Sequence, residues 1–60
     1  MKLRLRAVRQ KKGLSLRGLA AKAKVDFSTI YRIEVGKEAP RLPTLERLAR
    51  ALGVKVADLL

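Results

Sequence analysis

Histidine and cysteine are both missing from the 60 residues. Their absence removes the imidazole and thiolate ligands of zinc, any disulfide to brace a small core, and the usual nucleophile–base pairs of enzymes. The five carboxylates, Asp26, Glu34, Glu38, Glu46 and Asp58, are scattered singly along the chain. No enzymatic activity, metal, cofactor or small-molecule ligand is therefore expected. Aromatic residues are scarce too, with one Phe, one Tyr and no Trp, which leaves no stacking platform for single-stranded RNA. No apolar run approaches the roughly 20 residues that cross a bilayer, and the N-terminus has no signal-peptide core. Membrane association is not expected, and a cysteine-free chain is compatible with a cytoplasmic location.

Acidic residues are outnumbered. Fifteen Lys and Arg face five Asp and Glu, for a formal charge of +10. A field of that sign and density favours polyanions such as DNA, RNA, anionic lipid or a very acidic protein; a merely solvated basic surface is the plain alternative. At this length a chain buries only about 60% of the surface it exposes when unfolded, so residues 1–60 are expected to form one domain around one small core.

Apolar residues recur at helical rather than strand spacing. At about 100° per residue, Leu5 and Val8 share a face with the stem of Lys12, and Arg9 lies on its edge. Leu3 points away, so the first helix starts after it or leaves it exposed. Gly13 offers a C-terminal stop. Ser15 is a natural N-cap for a second helix with Leu16, Leu19, Ala20 and Ala23 on its inner stripe. Gly18 inside that helix costs about 0.5–1 kcal/mol relative to Ala. Asp26 can cap a third helix, whose inner face is Ile30 and Ile33 and which Gly36 ends. Pro43 suits the first turn of a fourth helix carrying Leu45, Leu48, Ala49 and Leu52. Val56, Leu59 and Leu60 suggest a last short helix or turn, either closing the core or exposed as a dimer contact. The pattern predicts an all-α, compact bundle of about five short helices.

Two of these helices, separated by very few residues, have the makings of a helix-turn-helix over about 16–35. Ala20 lets the pair cross closely, and Leu19, Ala23, Val25, Ile30 and Ile33 seal the crossing. Around it stand "GLS", an internal "LA", "V-x-x-S-T-I", "IE-x-GK" and "P-x-L-x-TL…LA-x-ALGV". In these marks the chain resembles the Cro/cI-type (XRE-type) helix-turn-helix domains of phage and bacterial repressors, which have a lambda repressor-like fold, and the likeness covers nearly its whole length.

The resemblance implies a sequence-specific regulator of transcription, a repressor, that binds double-stranded DNA as a homodimer. Domains of this kind also serve as protein-binding modules in antitoxins and transcriptional bridging factors. Residues 27–35 become the recognition helix for the major groove, with Phe27, Ser28 and Arg32 where relatives contact bases. Arg32 can donate two hydrogen bonds to guanine, Ser28 can pair with several bases, and Phe27 can offer only apolar contact, as to a thymine methyl. Ser28 and Arg32 have no structural duty in this reading, whereas Phe27 is equally suited to a place in the core. Ser15, Arg17, Thr29, Tyr31, Lys37 and Arg41 fall where phosphates or the groove wall are met. The family also carries an ion pair at the positions of Arg9 and Glu34. Lys2, Arg4, Arg6, Lys11 and Lys12 share no helix face and serve as diffuse charge.

Three departures from the family stand out. Leu16 replaces a common Gln at the start of the second helix, Lys24 replaces a common turn Gly, and Val35 replaces a polar residue before "GK". Lys24 is then expected in a left-handed conformation costing about 1–2 kcal/mol. Leu16 and Phe27 are expected to make an apolar contact where relatives pair two Gln side chains.

Overall fold

The computed structural model describes residues 3–60. Lys2, one of the N-terminal cations considered above, lies outside them. Four α-helices follow in order: α1 (Leu5–Lys11), α2 (Leu16–Ala23), α3 (Phe27–Glu34) and α4 (Leu42–Leu52). A 3₁₀ turn over Val56–Leu59 completes the chain, so the fifth helix of the sequence reading is a single tight turn. No strand occurs among the described residues.

α2 and α3 begin where a side chain caps a free N–H group, whereas α1 and α4 have no side-chain cap. The Ser15 hydroxyl accepts the Gly18 N–H at 2.9 Å, and Asp26 Oδ2 accepts that of Ser28 at 3.0 Å. Pro43 occupies the first turn of α4, where its missing N–H costs nothing. Gly18 also has a local reason: a Cβ there would stand 3.1 Å from the capping Ser15 Oγ.

All four helices end on a left-handed residue. Gly13, Gly36 and Gly53 have φ of 72°, 82° and 71°, and Lys24 has φ of 57°. At each end the following N–H reaches back five residues: Leu14 to Arg9, Val25 to Ala20, Lys37 to Arg32 and Val54 to Ala49. These are Schellman-type closures, and glycine is their usual occupant because it has no Cβ to meet the carbonyl.

The core contains Leu5, Leu19, Ala23, Ile30, Ile33, Leu45, Leu48, Ala49, Ala51, Leu52 and Leu59. α2 packs on both α3 and α4, and the 3₁₀ turn packs on α4. Leu3 stands just before α1 and is half-buried against the core. Lys12 is exposed just past the end of α1. The three apolar residues near the C-terminus divide: Leu59 is fully buried, Val56 packs against the core, and Leu60 is 54% exposed. Leu59 is thus a core residue rather than a dimer contact. Its carbonyl also accepts the Arg4 N–H at 2.8 Å, tying the last turn to the start of α1.

One ion pair crosses the structure. Arg9 Nε donates to Glu34 Oε2 at 2.7 Å and its Nη2 to Oε1 at 3.1 Å, a two-pronged contact. The remaining Nη1 donates to the Leu14 carbonyl at 2.9 Å. Only 11% and 5% of the two side chains are exposed, so neither charge can be rehydrated in place if its partner is lost.

The Glu34→Ala variant is expected to lose about 3–5 kcal/mol, read from its urea midpoint, because it strands the Arg9 guanidinium. Replacing Arg9 by Leu in the same variant recovers part of that loss. In the opposite direction, Lys24→Gly raises stability by about 0.5–1 kcal/mol, since glycine relieves the left-handed strain but adds unfolded-state entropy. Thermal melts of the two proteins check it.

Candidate nucleic-acid interface

The helix-turn-helix is α2, the three residues Lys24, Val25 and Asp26, and α3. Val25 packs against the core and Lys24 turns the chain, so α3 can start at once under the Asp26 cap. Ile30 and Ile33 bury one side of α3. The other side then presents Ser28, Tyr31 and Arg32, with Phe27 and Thr29 at its margins.

Phe27 is 42% exposed and lies outside the core. Leu16, its expected partner, is half-buried and packs against the core. The neighbour of the Phe27 ring is Arg17, whose guanidinium carbon stands 5.2 Å from the ring centre. That is cation–π distance, and it places a positive charge against the first residue of α3. The sequence pattern does not show this contact, because the two residues lie on different helices and meet only through the turn.

Arg32 is the main correction. Sequence alone leaves it without a structural duty, yet its Nε donates to Glu38 Oε1 at 2.9 Å and its Nη2 to Thr29 Oγ1 at 3.4 Å. The pair is exposed, with 46% and 38% of the side chains open to solvent, so it contributes little to stability. Glu38 escapes a helical-wheel reading because it lies beyond the end of α3 and reaches back across the Gly36 turn. Thr29 is half-buried and Tyr31 is 52% exposed. The Ser28 side chain is exposed, and its backbone N–H is taken by Asp26.

Ser15 Oγ accepts the Gly18 N–H as the cap, which leaves the Ser15 O–H and the remaining N–H groups of the first turn of α2 able to donate to an anion. Lys37 is exposed immediately after Gly36, its backbone held by the Arg32 carbonyl at 2.8 Å. Arg41 is exposed and extended just before α4, with no side-chain cap bond. Arg9 and Glu34 lie behind this face, bound to each other. The Arg9 pKa is raised, first by its hydrogen bond to Glu34, against the effect of desolvation, and further by the Glu34 charge. A base whose pKa is raised loses its contribution on the alkaline side only as the pH climbs into strong alkali.

Positive charge also gathers elsewhere, in a shallow groove between α2 and α4 lined by Lys22, Lys24, Arg47 and Arg50. Charge alone therefore does not single out one face. No helix among the described residues is long and apolar enough to cross a membrane.

Comparison with known proteins agrees with this geometry. The family model described as Helix-turn-helix matches residues 5–59. The HTH-type transcriptional regulator DdrOP3 of Deinococcus deserti is 42% identical over 57 residues, covering 95% of this chain and 44% of the regulator. The chain thus spans less than half the length of that relative. The restriction-modification controller protein C.AhdI from Aeromonas hydrophila superposes with a TM-score of 0.91 at 35% identity, over 95% of this chain and 86% of that one. A chain of the complex of the SinR and SinI proteins gives 0.90 at 38% identity, over 95% and 56%. With the family model matching residues 5–59 and these relatives covering 95% of it, the chain belongs to the Helix-turn-helix family, in its Cro/cI (XRE) branch.

Proposed function

We propose that the chain binds double-stranded DNA sequence-specifically, with α3 in the major groove, as the DNA-binding unit of a cytoplasmic transcriptional repressor. Residues 1–60 act as one unit in this reading. The observation that carries it is the outward side of α3. Behind a three-residue turn and opposite buried Ile30 and Ile33, it offers a hydroxyl, a phenol and a guanidinium to solvent. With its side chains an α-helix is about 10–12 Å across, a size that enters a groove about 12 Å wide.

Within that frame Arg32 reads guanine, Ser28 pairs with an adjacent base, and Phe27 lies against a thymine methyl. Arg17, Thr29, Tyr31, Lys37, Arg41 and the α2 start capped by Ser15 meet phosphates and the groove wall. The protein acts as a homodimer on two half-sites about 34–36 Å apart.

Selection from random duplex DNA tests this. A preferred sequence with two-fold symmetry is the expected result, and binding that stays indifferent to sequence at physiological salt defeats it. Arg32→Ala relaxes the choice of one base pair per half-site. Lys37→Ala instead weakens all sequences about equally and lowers the salt slope by about 1.

A further inference from the structure

Arg32 and Glu38 are joined twice. The Arg32 carbonyl accepts the Glu38 N–H at 3.2 Å as well as that of Lys37 at 2.8 Å, and the side chains meet at 2.9 Å. The left-handed Gly36 folds the chain back far enough for both links to form. On the other side of the guanidinium, Nη2 lies 3.4 Å from Thr29 Oγ1. Glu38 therefore occupies Nε, while Nη1 and the second hydrogen of Nη2 stay open. Those two nitrogens form the end of the guanidinium fork, one of the edges able to donate to guanine O6 and N7 together.

A carboxylate in this position is costly to a polyanion binder. It is one of only five acids in a chain of charge +10, and it sits between Lys37 and Arg41. Its charge repels phosphate and weakens binding to every sequence. An untethered Arg, by contrast, is free to swing to the nearest phosphate and add affinity without discrimination. We propose that Glu38 is a positioning residue for sequence reading, holding the Arg32 guanidinium end-on toward a guanine and away from phosphates. The inference rests on the reading of α3 as the base-contacting helix. Because the pair is exposed, its loss leaves the fold intact.

Random-sequence selection and competition binding with the full chain, its Arg32→Ala variant, Glu38→Gln and Glu38→Ala test it. A good bidentate contact discriminates bases by roughly 5- to 150-fold. Arg32→Ala first marks the base pair concerned. Glu38→Ala then loses about fivefold or more of the discrimination at that same pair, Glu38→Gln somewhat less, and other positions change by under about twofold. Affinity for unrelated duplex rises in both Glu38 variants, because a repelling charge is gone. Side-chain NMR of the free protein adds a direct reading, with the Arg32 Nε–H exchanging faster once Glu38 is replaced by Ala. Full discrimination in Glu38→Ala at the marked pair overturns the positioning role and leaves the reading of α3 standing. Equal losses at all positions, or an unchanged Nε–H, overturn it likewise. If Arg32→Ala marks no base pair, the reading of α3 fails and the role of Glu38 falls with it.

Discussion

Glu34 carries a carboxylate to a place where 5% of its side chain meets water, and only Arg9 makes that tolerable. The contact joins three parts of the chain at once. Arg9 lies in α1, its Nη1 closes the Leu14 carbonyl beside the α1–α2 turn, and Glu34 is the last residue of α3. Burial of Ile30 and Ile33 holds α3 against the core, but hydrophobic contact is non-directional and by itself leaves orientational freedom. A two-pronged guanidinium–carboxylate pair has a fixed plane and fixed spacing, so it removes that freedom at one end. Asp26 and the Phe27–Arg17 contact define the other end. The side of α3 turned to solvent is thereby oriented by polar geometry rather than by packing alone.

The same economy shows in the turns. Helices of seven to eleven residues are too short to be stable by themselves, and their ends make up a large share of their length. Left-handed closures satisfy the last carbonyls and reverse the chain within very few residues. Three are built on glycine, and the fourth, at Lys24, lies inside the helix-turn-helix itself. There the strain is carried by packing: Ala23 is buried on one side of Lys24, and Val25 packs against the core on the other.

Much of this architecture is legible in the residues. Ser15, Asp26, Pro43 and the glycines mark the helix boundaries within a residue or so, because capping and left-handed closure are local chemistry. The inner stripes of α2, α3 and α4 follow from a period of 3.6. Val35 lies just beyond the end of α3 rather than within it, since the Schellman closure at Gly36 ends the helix at Glu34. Less legible are the contacts made between elements. Phe27 has enough apolar surface for a core residue, and only the three-dimensional turn shows that its ring is exposed with the Arg17 guanidinium over it. Arg32 reads as an unengaged side chain because helical periodicity stops at Glu34, and its partner lies six residues on, past a left-handed turn. The final helix shortens to a 3₁₀ turn because four residues suffice to bring Leu59 into the core.

These contacts divide the positive charge into two kinds. Arg17 and Arg32, which flank the outward side of α3, are each held by a neighbour, one by the Phe27 ring and one by Glu38. Lys37 and Arg41, at its rim, form no ion pair among the described residues. In the proposed role the distinction has a thermodynamic meaning. Immobilising a long side chain on binding costs about 0.5–1.5 kcal/mol, and part of that cost is already met in the free protein for a side chain held in place. A tethered guanidinium therefore loses less by adopting one geometry, which is what base reading needs. An untethered Lys or Arg keeps its freedom by following whichever phosphate is near, which suits affinity that does not depend on sequence. In that role the excess charge draws the chain to a duplex, and the few cations held at α3 determine where on it the chain stays.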